Sequence, residues 1–313
     1  MNSNTVLQAI QDIKTLKTQG ASQVKKSFLK NIKIWIEQNH NKNLNQFNSD
    51  FQHIVSLFVK ARSTEPAVFN MARKLLELTE NEKSLSKLKQ ELIQLLTEFE
   101  NRDQQNIQKI IQFGQKVVPN KSIAFTHCHS HTVEAILIQA KNKIDQVIAT
   151  ETRPLFQGRI TAKNLAQKGI HCTLIVDNAA QTFMPKADFL ITGADSVLAN
   201  GNLINKIGTS IISKIAQENK VPHYVACTTE KMDPLSFFGK DTEIEQRNTN
   251  EVWSEQYAHI TVLNPAFDIT PARQIQGYIT EKGILKPKKF AQTMKKEFKI
   301  SKQSKQIFEK LFK

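Results

Sequence analysis

From Pro119 onward, short apolar runs alternate with helical segments, and this alternation is the feature that most constrains the fold. The strand candidates are SIAFTH, DQVIAT, CTLIVD, DFLITGAD, HYVACT and HITVL, with helices such as TVEAILIQAKNK and INKIGTSIISKIAQENK between most of them. Such alternation predicts a parallel sheet with right-handed crossovers, and near-continuous apolar strands indicate burial on both faces. Ligands of these sheets bind beyond the carboxyl ends of the strands.

The first part of the chain predicts helices only. Apolar residues recur at helical spacing in VLQAIQDIKTL, SFLKNIKIWIEQ and VFNMARKLLELT, and LKQELIQLLTEFENRDQQNIQKIIQFGQKVV predicts one long helix. The asparagine-rich stretch 39–49 predicts a loop. We therefore expect an α/β protein with an N-terminal all-helical domain over residues 1–115, a Rossmann-like domain with a helix-flanked parallel sheet over 116–285, and a basic tail over 286–313.

The composition narrows the class of protein. The length of 313 residues fits two domains. No apolar run approaches the roughly 20 residues of a membrane span, and the N-terminus lacks the pattern of a signal peptide, so we expect a cytoplasmic protein without membrane contact. Three scattered cysteines without a CxxC pair predict neither a disulfide framework nor a structural zinc site.

The net charge of +14 would attract anions such as nucleic acid or a phosphorylated substrate. Much of this excess lies in the tail from Lys286 to Lys313, which has ten lysines and two glutamates. Its Phe and Leu residues at helical spacing predict a basic amphipathic helix. We expect this helix to dock on the protein or to be partly disordered, with nucleic-acid or acidic-surface binding as the alternative.

A cysteine and three histidines follow the first predicted strand, in THCHSHT. Cys128 would lie at a helix N-terminus, whose amides and dipole lower the pKa of a thiol. The alternative is a small buried apolar side chain. His127, His129 and His131 would suit a metal, but no carboxylate lies in a matching motif, so we expect no metal and no other cofactor.

Two arginines occupy the turn after the second predicted strand, in ETRPLFQGR. Arg153 and Arg159 would bind a phosphate group bidentately. The alternative is a solvated loop in which an arginine pairs with Glu151.

Polar residues also follow the later strands. Asp195 ends the strand in DFLITGAD and projects toward the ligand crevice, or else serves as a helix N-cap. Asn200-Gly201 predicts a turn, after which Asn205 and Lys206 would open a helix and bind an anion.

Two further polar segments follow predicted strands. Lys231 follows HYVACT, and NPAFDITP follows HITVL. With the three preceding segments, polar residues stand at five successive strand ends, and they would converge on one crevice.

These motifs resemble one known family: methylthioribose-1-phosphate isomerase, ribose-1,5-bisphosphate isomerase and the alpha, beta and delta regulatory subunits of the eukaryotic translation initiation guanine-nucleotide exchange factor. The resemblance rests on ETRPxxQGR, TGADxxxxNGxxxNKIGT and NPAFDITP, in that order over roughly residues 120–285. It is looser over ARSTEPAVFN, where Ser63 replaces the usual proline. The isomerases carry a cysteine and an aspartate that the translation subunits commonly lack, and Cys128 and Asp195 match them.

The resemblance implies an aldose–ketose isomerase in which Asp195 is the ring-opening acid and Cys128 the base at C2. THCHS, TTEKMDP and Lys231 look more like ribose-1,5-bisphosphate isomerase than methylthioribose-1-phosphate isomerase. KTQGAS is similar to that enzyme's phosphate loop, with Gln19 where an arginine is expected. The implied substrate-binding residues, beside Arg153 and Arg159, are Gln19, Gly20, Ala21, Arg62, Ser130, His131, Thr132, Asn205, Lys206 and Lys231.

The expected partners are therefore a phosphorylated ribose, best matched by ribose 1,5-bisphosphate, and further copies of the chain in a dimer or hexamer. Methylthioribose 1-phosphate is the alternative substrate. A non-catalytic regulatory protein of the translation-factor type is the alternative outside enzymes.

Overall fold

The computed structural model describes residues 3–298 apart from residues 19, 63, 240 and 241, and it divides the chain into two compact units. Of the described residues, the first unit contains those up to Gln105 together with 232–239 and 295–298. The second contains residues 106–231 and 242–294. Among these residues, no helix is both long and apolar enough to cross a lipid bilayer.

The first unit is helical, as the spacing of apolar residues predicts. Its helices are α1 (Ser3–Lys14), α2 (Ala21–Gln38), α3 (Leu44–Ala61), α4 (Pro66–Asn81) and the greater part of α5 (Leu85–Val117). Aromatic side chains dominate its core: Phe28 meets Phe58 edge to face, and Phe47 stacks on Phe51 with 5.8 Å between ring centroids. Aromatic pairs of this kind add to the free energy of apolar burial.

The prediction of a loop over residues 39–49 is wrong for its second half, because helix α3 begins at Leu44. The Asn43 side chain accepts hydrogen bonds from the amides of Asn45 and Gln46 at 2.8 and 3.2 Å. Asparagine is favoured in loops and also at helix N-caps, so an asparagine-rich stretch does not distinguish a loop from a helix start.

The second unit is built on a seven-stranded sheet in the order β10-β9-β7-β4-β1-β2-β3. All neighbours in it pair in parallel except the β9–β10 pair. Three other strands, β5, β6 and β8, form a separate antiparallel sheet. The strands are β1 (Ser122–Thr126), β2 (Ile144–Thr150), β3 (Cys172–Ile175), β4 (Phe189–Thr192), β5 (Ser196–Val197), β6 (Leu203–Lys206), β7 (His223–Ala226), β8 (Phe267–Thr270), β9 (Gly277–Thr280) and β10 (Gly283–Leu285).

Helices cover both faces of the large sheet. The helices of this unit are α6 (His131–Gln139), α7 (Gln157–Gln167), α8 (Ala180–Phe183), α9 (Thr209–Glu218) and the greater part of α10 (Pro287–Glu297). Val133 of α6 and Leu165 of α7 pack in one buried cluster, whereas Ile212 of α9 packs in another. Successive residues of a strand alternate between these clusters, since Ala124 belongs to the first and Phe125 to the second. The predicted Rossmann-like fold is confirmed.

The small sheet corrects the prediction that Asn205 and Lys206 open a helix. Both residues end β6 and pair with Asp268 and Phe267 of β8. The following helix, α9, begins only after Gly208, which has a φ of 100°. The apolar residues of LINK fit a buried strand as well as a helix, and short apolar runs cannot be assigned by periodicity alone.

The strand predicted at HITVL is also wrong. Ile260 and Leu263 are 50% and 71% exposed, and the nearby strand, β8, lies within the NPAFDITP motif itself. A β-branched run suggests a strand, but a strand needs a partner, and β6 pairs with residues 267–270.

The start of the tail is helical and docked, as predicted. In α10, Phe290 is buried and lies against Tyr278 with ring centroids 4.9 Å apart. The rest of the predicted tail helix, residues 299–313, lies outside the described residues.

Candidate active site

The strand order of the large sheet reverses between β1 and β4, which are adjacent and parallel. Thr126 at the end of β1 pairs with Ile191 of β4, and its hydroxyl donates a hydrogen bond to the Ile191 carbonyl at 2.9 Å. Cys128 follows β1 and Asp195 follows β4. The two residues therefore stand at the topological switch point, where sheets of this class bind ligands. We call this place the Cys128–Asp195 site.

Neighbouring loops hold the backbone of Cys128 on both sides. Cys128 adopts a left-handed conformation, with φ at 67°. Its amide donates to the Thr152 hydroxyl at 2.9 Å, and its carbonyl accepts from the Thr161 hydroxyl at 3.0 Å. A left-handed non-glycine residue persists where its surroundings fix it. The loop after β2 and helix α7 thus fix the position of the thiol.

His127 joins the end of β1 to the loop after β6. Its Nε2 lies 2.9 Å from the Ile207 carbonyl, which can only accept, so Nε2 carries the proton. Nδ1 therefore accepts from the Thr150 hydroxyl at 2.6 Å. Burial lowers the pKa of His127, which keeps the ring neutral. This buried histidine has a structural role, since both of its nitrogens are occupied.

The loop that carries Asp195 packs directly on the loop that carries Cys128. A Cβ placed on Gly193 would lie 2.8 Å from the Ser130 hydroxyl oxygen and 2.9 Å from its Cβ, so only glycine fits at this position of the GAD motif. Ser130 in turn is the N-cap of α6. Asp195 is not a helix cap: β5 follows it, and its amide donates to the Ile204 carbonyl.

Burial raises the pKa of the Cys128 thiol to about 11. The expectation that the helix terminus lowers this pKa is therefore wrong for the described structure, because desolvation outweighs the favourable interactions. The Lys206 ammonium, an amide hydrogen bond from His129 and the Arg247 guanidinium each oppose the rise, whereas the Asp195 charge adds to it. The Asp195 carboxylate and two cations, Lys206 and Arg247, therefore act electrostatically on the same thiol.

Two predicted binding residues on β6 are buried beside this site. The Asn205 side-chain amide donates to the Thr209 hydroxyl at 3.0 Å. The Lys206 ammonium lies 5.5 Å from the centre of the Phe267 ring. Two neighbours of Cys128 on α6 remain accessible, since His131 is exposed and Thr132 half-buried.

The two arginines of ETRPLFQGR are exposed and share one aromatic ring. Arg159 forms an ion pair with Glu151 at 2.6 Å, and its guanidinium lies 3.8 Å from the centre of the Phe156 ring. The Arg153 guanidinium lies 5.1 Å from the same ring, and its Nη2 donates to the Val252 carbonyl. The ion pair between Arg159 and Glu151 matches the solvated loop that the sequence suggests as the alternative to phosphate binding at this turn. The phosphate role of both arginines stays a prediction.

Lys231 is buried at the end of a short 3-10 helix after β7. It acts electrostatically on the Cys227 thiol, as does Glu281, whose carboxylate accepts a hydrogen bond from the Thr229 amide.

Four of the predicted binding residues belong to the first unit. Gly20 has a φ of 78° and precedes Ala21, where α2 begins. Arg62 is buried with its Nε 3.5 Å from Glu65. Gln19 lies outside the described residues. The substrate-binding role of these four residues stays a prediction.

Three residues of the α6 loop could ligate a metal ion. One ligand atom each from His129, His131 and Glu134 lie within 4.8 Å of one another. Burial lowers the pKa of His129, and its Nδ1 lies 3.0 Å from the Thr161 hydroxyl. The sequence places the histidines but does not show that Glu134, one helical turn into α6, comes beside them. The expectation of a metal-free protein stays a prediction.

The sequence does not mark Arg247 as a residue of the site. This residue follows no predicted strand, and its charge is one of many on a basic chain. In the structure it is buried, and its guanidinium acts on the Cys128 thiol. The signal in the sequence is weak, because nothing in EIEQRNTNEV marks a buried position.

The family model of the Initiation factor 2 subunit family matches residues 17–287. The chain belongs to this family. The resemblance carried by the sequence motifs is thereby confirmed.

Relatives with known names agree with this membership. The chain is 34% identical over 286 residues to ribose 1,5-bisphosphate isomerase of Methanocaldococcus jannaschii, covering 90% of this chain and 92% of the relative. It resembles the solved structure of translation initiation factor eIF-2B from Pyrococcus horikoshii OT3, with a TM-score of 0.78, 26% identity, and coverage of 90% of this chain and 97% of that one. For 5-methylthioribose 1-phosphate isomerase from the same organism, the TM-score is 0.75 at 26% identity, over 95% and 88% of the two chains.

Proposed function

We propose that this protein is an aldose–ketose isomerase that converts ribose 1,5-bisphosphate to ribulose 1,5-bisphosphate. The observation that carries this proposal is the position of Cys128 and Asp195 after two adjacent parallel strands at the switch point of the sheet. The site offers a thiol, a carboxylate and cations, which suit proton transfer on an anionic substrate. The name of the 34% identical relative from Methanocaldococcus jannaschii supports the choice of substrate.

Ring opening requires an acid. The anomeric oxygen of a ribose 1-phosphate is esterified, so the sugar has no free hemiacetal and cannot open by the usual route. In the proposed mechanism, Asp195 in its protonated form donates a proton to the ring oxygen, and the bond between C1 and that oxygen breaks. A carboxylic acid in a partly desolvated crevice is suited to this step.

The second step requires a base. Cys128, as a thiolate, removes the proton at C2, and the electron pair of that bond forms the C1–C2 double bond of an enol. The thiol then returns the proton to C1, while the C2 hydroxyl returns its proton to Asp195 and becomes the carbonyl. Both groups end as they began, so the reaction consumes no redox equivalent. Each positioned acid or base typically contributes about 10²–10⁴-fold to the rate.

Lys206 supports the base because its positive charge stabilises the thiolate. We propose that Asn205 and Lys206 bind sugar hydroxyls or phosphate, and that Ser130, His131 and Thr132 line the approach to the thiol. We also propose that Lys231 contacts a phosphate of the substrate and that Gly20, Ala21 and Arg62 bind the substrate.

The deciding experiment is a direct assay. Purified protein is incubated with ribose 1,5-bisphosphate, and ribulose 1,5-bisphosphate is followed by ³¹P NMR or by a coupled carboxylase. Methylthioribose 1-phosphate is tested in parallel. Turnover of neither sugar would refute the isomerase function.

The second candidate is methylthioribose-1-phosphate isomerase. It is favoured by Gln19, an amide where the bisphosphate enzymes carry a phosphate-binding arginine, and by the structural match to the Pyrococcus horikoshii enzyme. An amide binds phosphate more weakly than a guanidinium. A kcat/KM at least tenfold higher for methylthioribose 1-phosphate would establish this candidate instead.

We further propose that the protein acts in the cytoplasm and as a homo-oligomer, a dimer or a hexamer. Sedimentation velocity at micromolar concentration tests the second statement, and a single species at the mass of one chain, 35.6 kDa, would contradict it.

A further inference from the structure

Arg247 carries a buried positive charge without an adequate partner. Its side chain is 4% exposed, and its Nε and Nη1 have no hydrogen-bond acceptor among the described residues. The Glu245 carboxylate lies 3.8 Å from Nε, too far for a hydrogen bond, and is itself 30% exposed. The guanidinium therefore retains two unused donors in a place that water does not reach freely.

The surrounding backbone holds Arg247 in this position. Its amide donates to the Asn264 carbonyl at 2.8 Å, and the Ala266 amide donates to the Glu245 carbonyl at 2.8 Å. The Ala266 carbonyl in turn accepts from the amide of Ile207, the residue after Lys206. The turn NPAFDITP thus connects the Arg247 segment to the end of β6. The charges of Arg247 and Lys206 both act on the Cys128 thiol.

A buried guanidinium without acceptors is costly, because its charge has lost water and gained too little in return. An anion that enters the site removes this cost. Arginine matches phosphate well, since its planar fork can donate two parallel hydrogen bonds. In ribose 1-phosphates the phosphate is attached to C1, the carbon next to C2, on which Cys128 would act. A phosphate near the thiol is therefore the C1 phosphate.

We propose that Arg247 binds the C1 phosphate of the substrate at the Cys128–Asp195 site. This inference rests on the proposed function for the identity of the substrate, but the anion site itself does not require turnover. Because both candidate substrates carry a C1 phosphate, Arg247 serves either of them. It does not discriminate between them.

Inorganic phosphate is the probe that tests the anion site without catalysis. Alkylation of Cys128 by iodoacetamide is followed by peptide mass spectrometry at pH 9, with Cys172 of the same chain as the internal reference. We expect phosphate at millimolar concentration to slow the alkylation of Cys128 at least fivefold in the unmodified protein. Arg247→Met should abolish this protection, and Arg247→Lys should weaken it. Arg273→Met, which removes an exposed arginine of the same unit, should leave it unchanged.

Steady-state kinetics supply the second readout. Arg247→Lys should raise KM for both sugar phosphates at least tenfold while kcat falls less than threefold, because the phosphate contact exists before and during the reaction. Thermal melting curves show whether each variant folds. If Arg247→Met does not fold, the result for Arg247→Lys decides whether Arg247 binds the phosphate.

The outcomes separate this inference from the proposed function. Phosphate protection that depends on Arg247, in a protein that turns over neither sugar, would uphold the anion site and refute the isomerase. If the protein turns over a sugar phosphate and both Arg247 variants keep the KM and the phosphate protection of the unmodified protein, the role of Arg247 is refuted and the isomerase function is not. Absence of protection in the unmodified protein would refute it too.

Discussion

The amide of Cys128 donates a hydrogen bond of 2.9 Å to the hydroxyl of Thr152. Thr152 belongs to the ETRPLFQGR motif, so the hydroxyl in one strand-end loop fixes the backbone that presents the thiol in another. Replacing Thr152 by valine keeps the shape and removes the acceptor, and a buried amide without an acceptor costs about 1–3 kcal/mol.

We therefore expect Thr152→Val to lower the free energy of unfolding by about 1–2 kcal/mol and kcat/KM by about tenfold. Thr152→Ser retains the hydroxyl and is the matched control. Urea unfolding and the isomerase assay measure the two effects. Equal behaviour of the valine and serine variants would show that the hydrogen bond has no such role.

The thiol itself gives the sharpest test of the proposed chemistry. Cys128→Ser replaces the base with a hydroxyl that does not ionise near neutral pH, so we expect at least a 10³-fold loss of kcat. Cys172→Ser is the control and should keep full activity, because Cys172 begins the edge strand β3, whereas Cys128 follows the opposite, carboxyl end of the parallel strand β1. Circular dichroism of both variants should match the unmodified protein.

The pH dependence of Cys128 alkylation follows from the raised pKa of this thiol, about 11. Below that value most of the thiol is protonated, and the thiolate fraction increases with pH. We expect the rate of iodoacetamide alkylation of Cys128 to rise steadily with pH from 7.5 to 9.5, because the thiolate is the reactive form. Alkylation that saturates near pH 8 is the contrary result.

The burial of His223 should lower the stability of the fold in acid. This residue is buried between the hydroxyls of Thr192 and Ser213, at 2.9 Å from each, and burial lowers its pKa to about 3. Between pH 6.5 and 3 the unfolded chain binds a proton at this residue that the folded chain does not, so stability falls as the pH falls.

We expect this residue to reduce the free energy of unfolding by about 3 kcal/mol from pH 6.5 to 4. His223→Gln should lose less over the same interval, and His171→Gln, at an exposed histidine, should follow the unmodified protein. Denaturant unfolding at each pH measures the slopes. Parallel curves for all three proteins would contradict the assignment.

Removal of divalent metal should leave the isomerase activity intact, because the proposed steps require only an acid, a base and cations of the chain. The His129, His131 and Glu134 cluster makes the test necessary. Dialysis against EDTA should change kcat less than twofold. A loss that zinc restores, and that His129→Ala reproduces, would assign a catalytic ion to this cluster.

The sequence predicts most of the large sheet. β1, β2, β3, β4 and β7 coincide with apolar runs, as expected for a parallel sheet that helices cover on both faces, although Leu174 of the edge strand β3 is exposed. The strand-end rule then brings Cys128 and Asp195 together. The sequence does not predict the small sheet. The residues of β6 fit the start of a helix as well as a strand, and the exposed HITVL segment resembles a strand although it is not one.

Properties that depend on burial are harder to predict. The helix terminus beside Cys128 suggests a lowered pKa, whereas desolvation, which no local pattern reveals, raises it. Arg247 is missed for the same reason: its charge suggests an exposed residue, and only the packing of residues 245–247 against 264–266 buries it.

The contact between Gly193 and Ser130 has a consequence for how this sequence can change. A side chain at position 193 would collide with both the hydroxyl and the Cβ of residue 130, so trimming the serine to alanine would not relieve the collision. Only a glycine at 130 would make room, and it would remove the N-cap of α6. The two positions should therefore vary together or not at all, and an alignment of family members that share this loop pair should show them as linked sites.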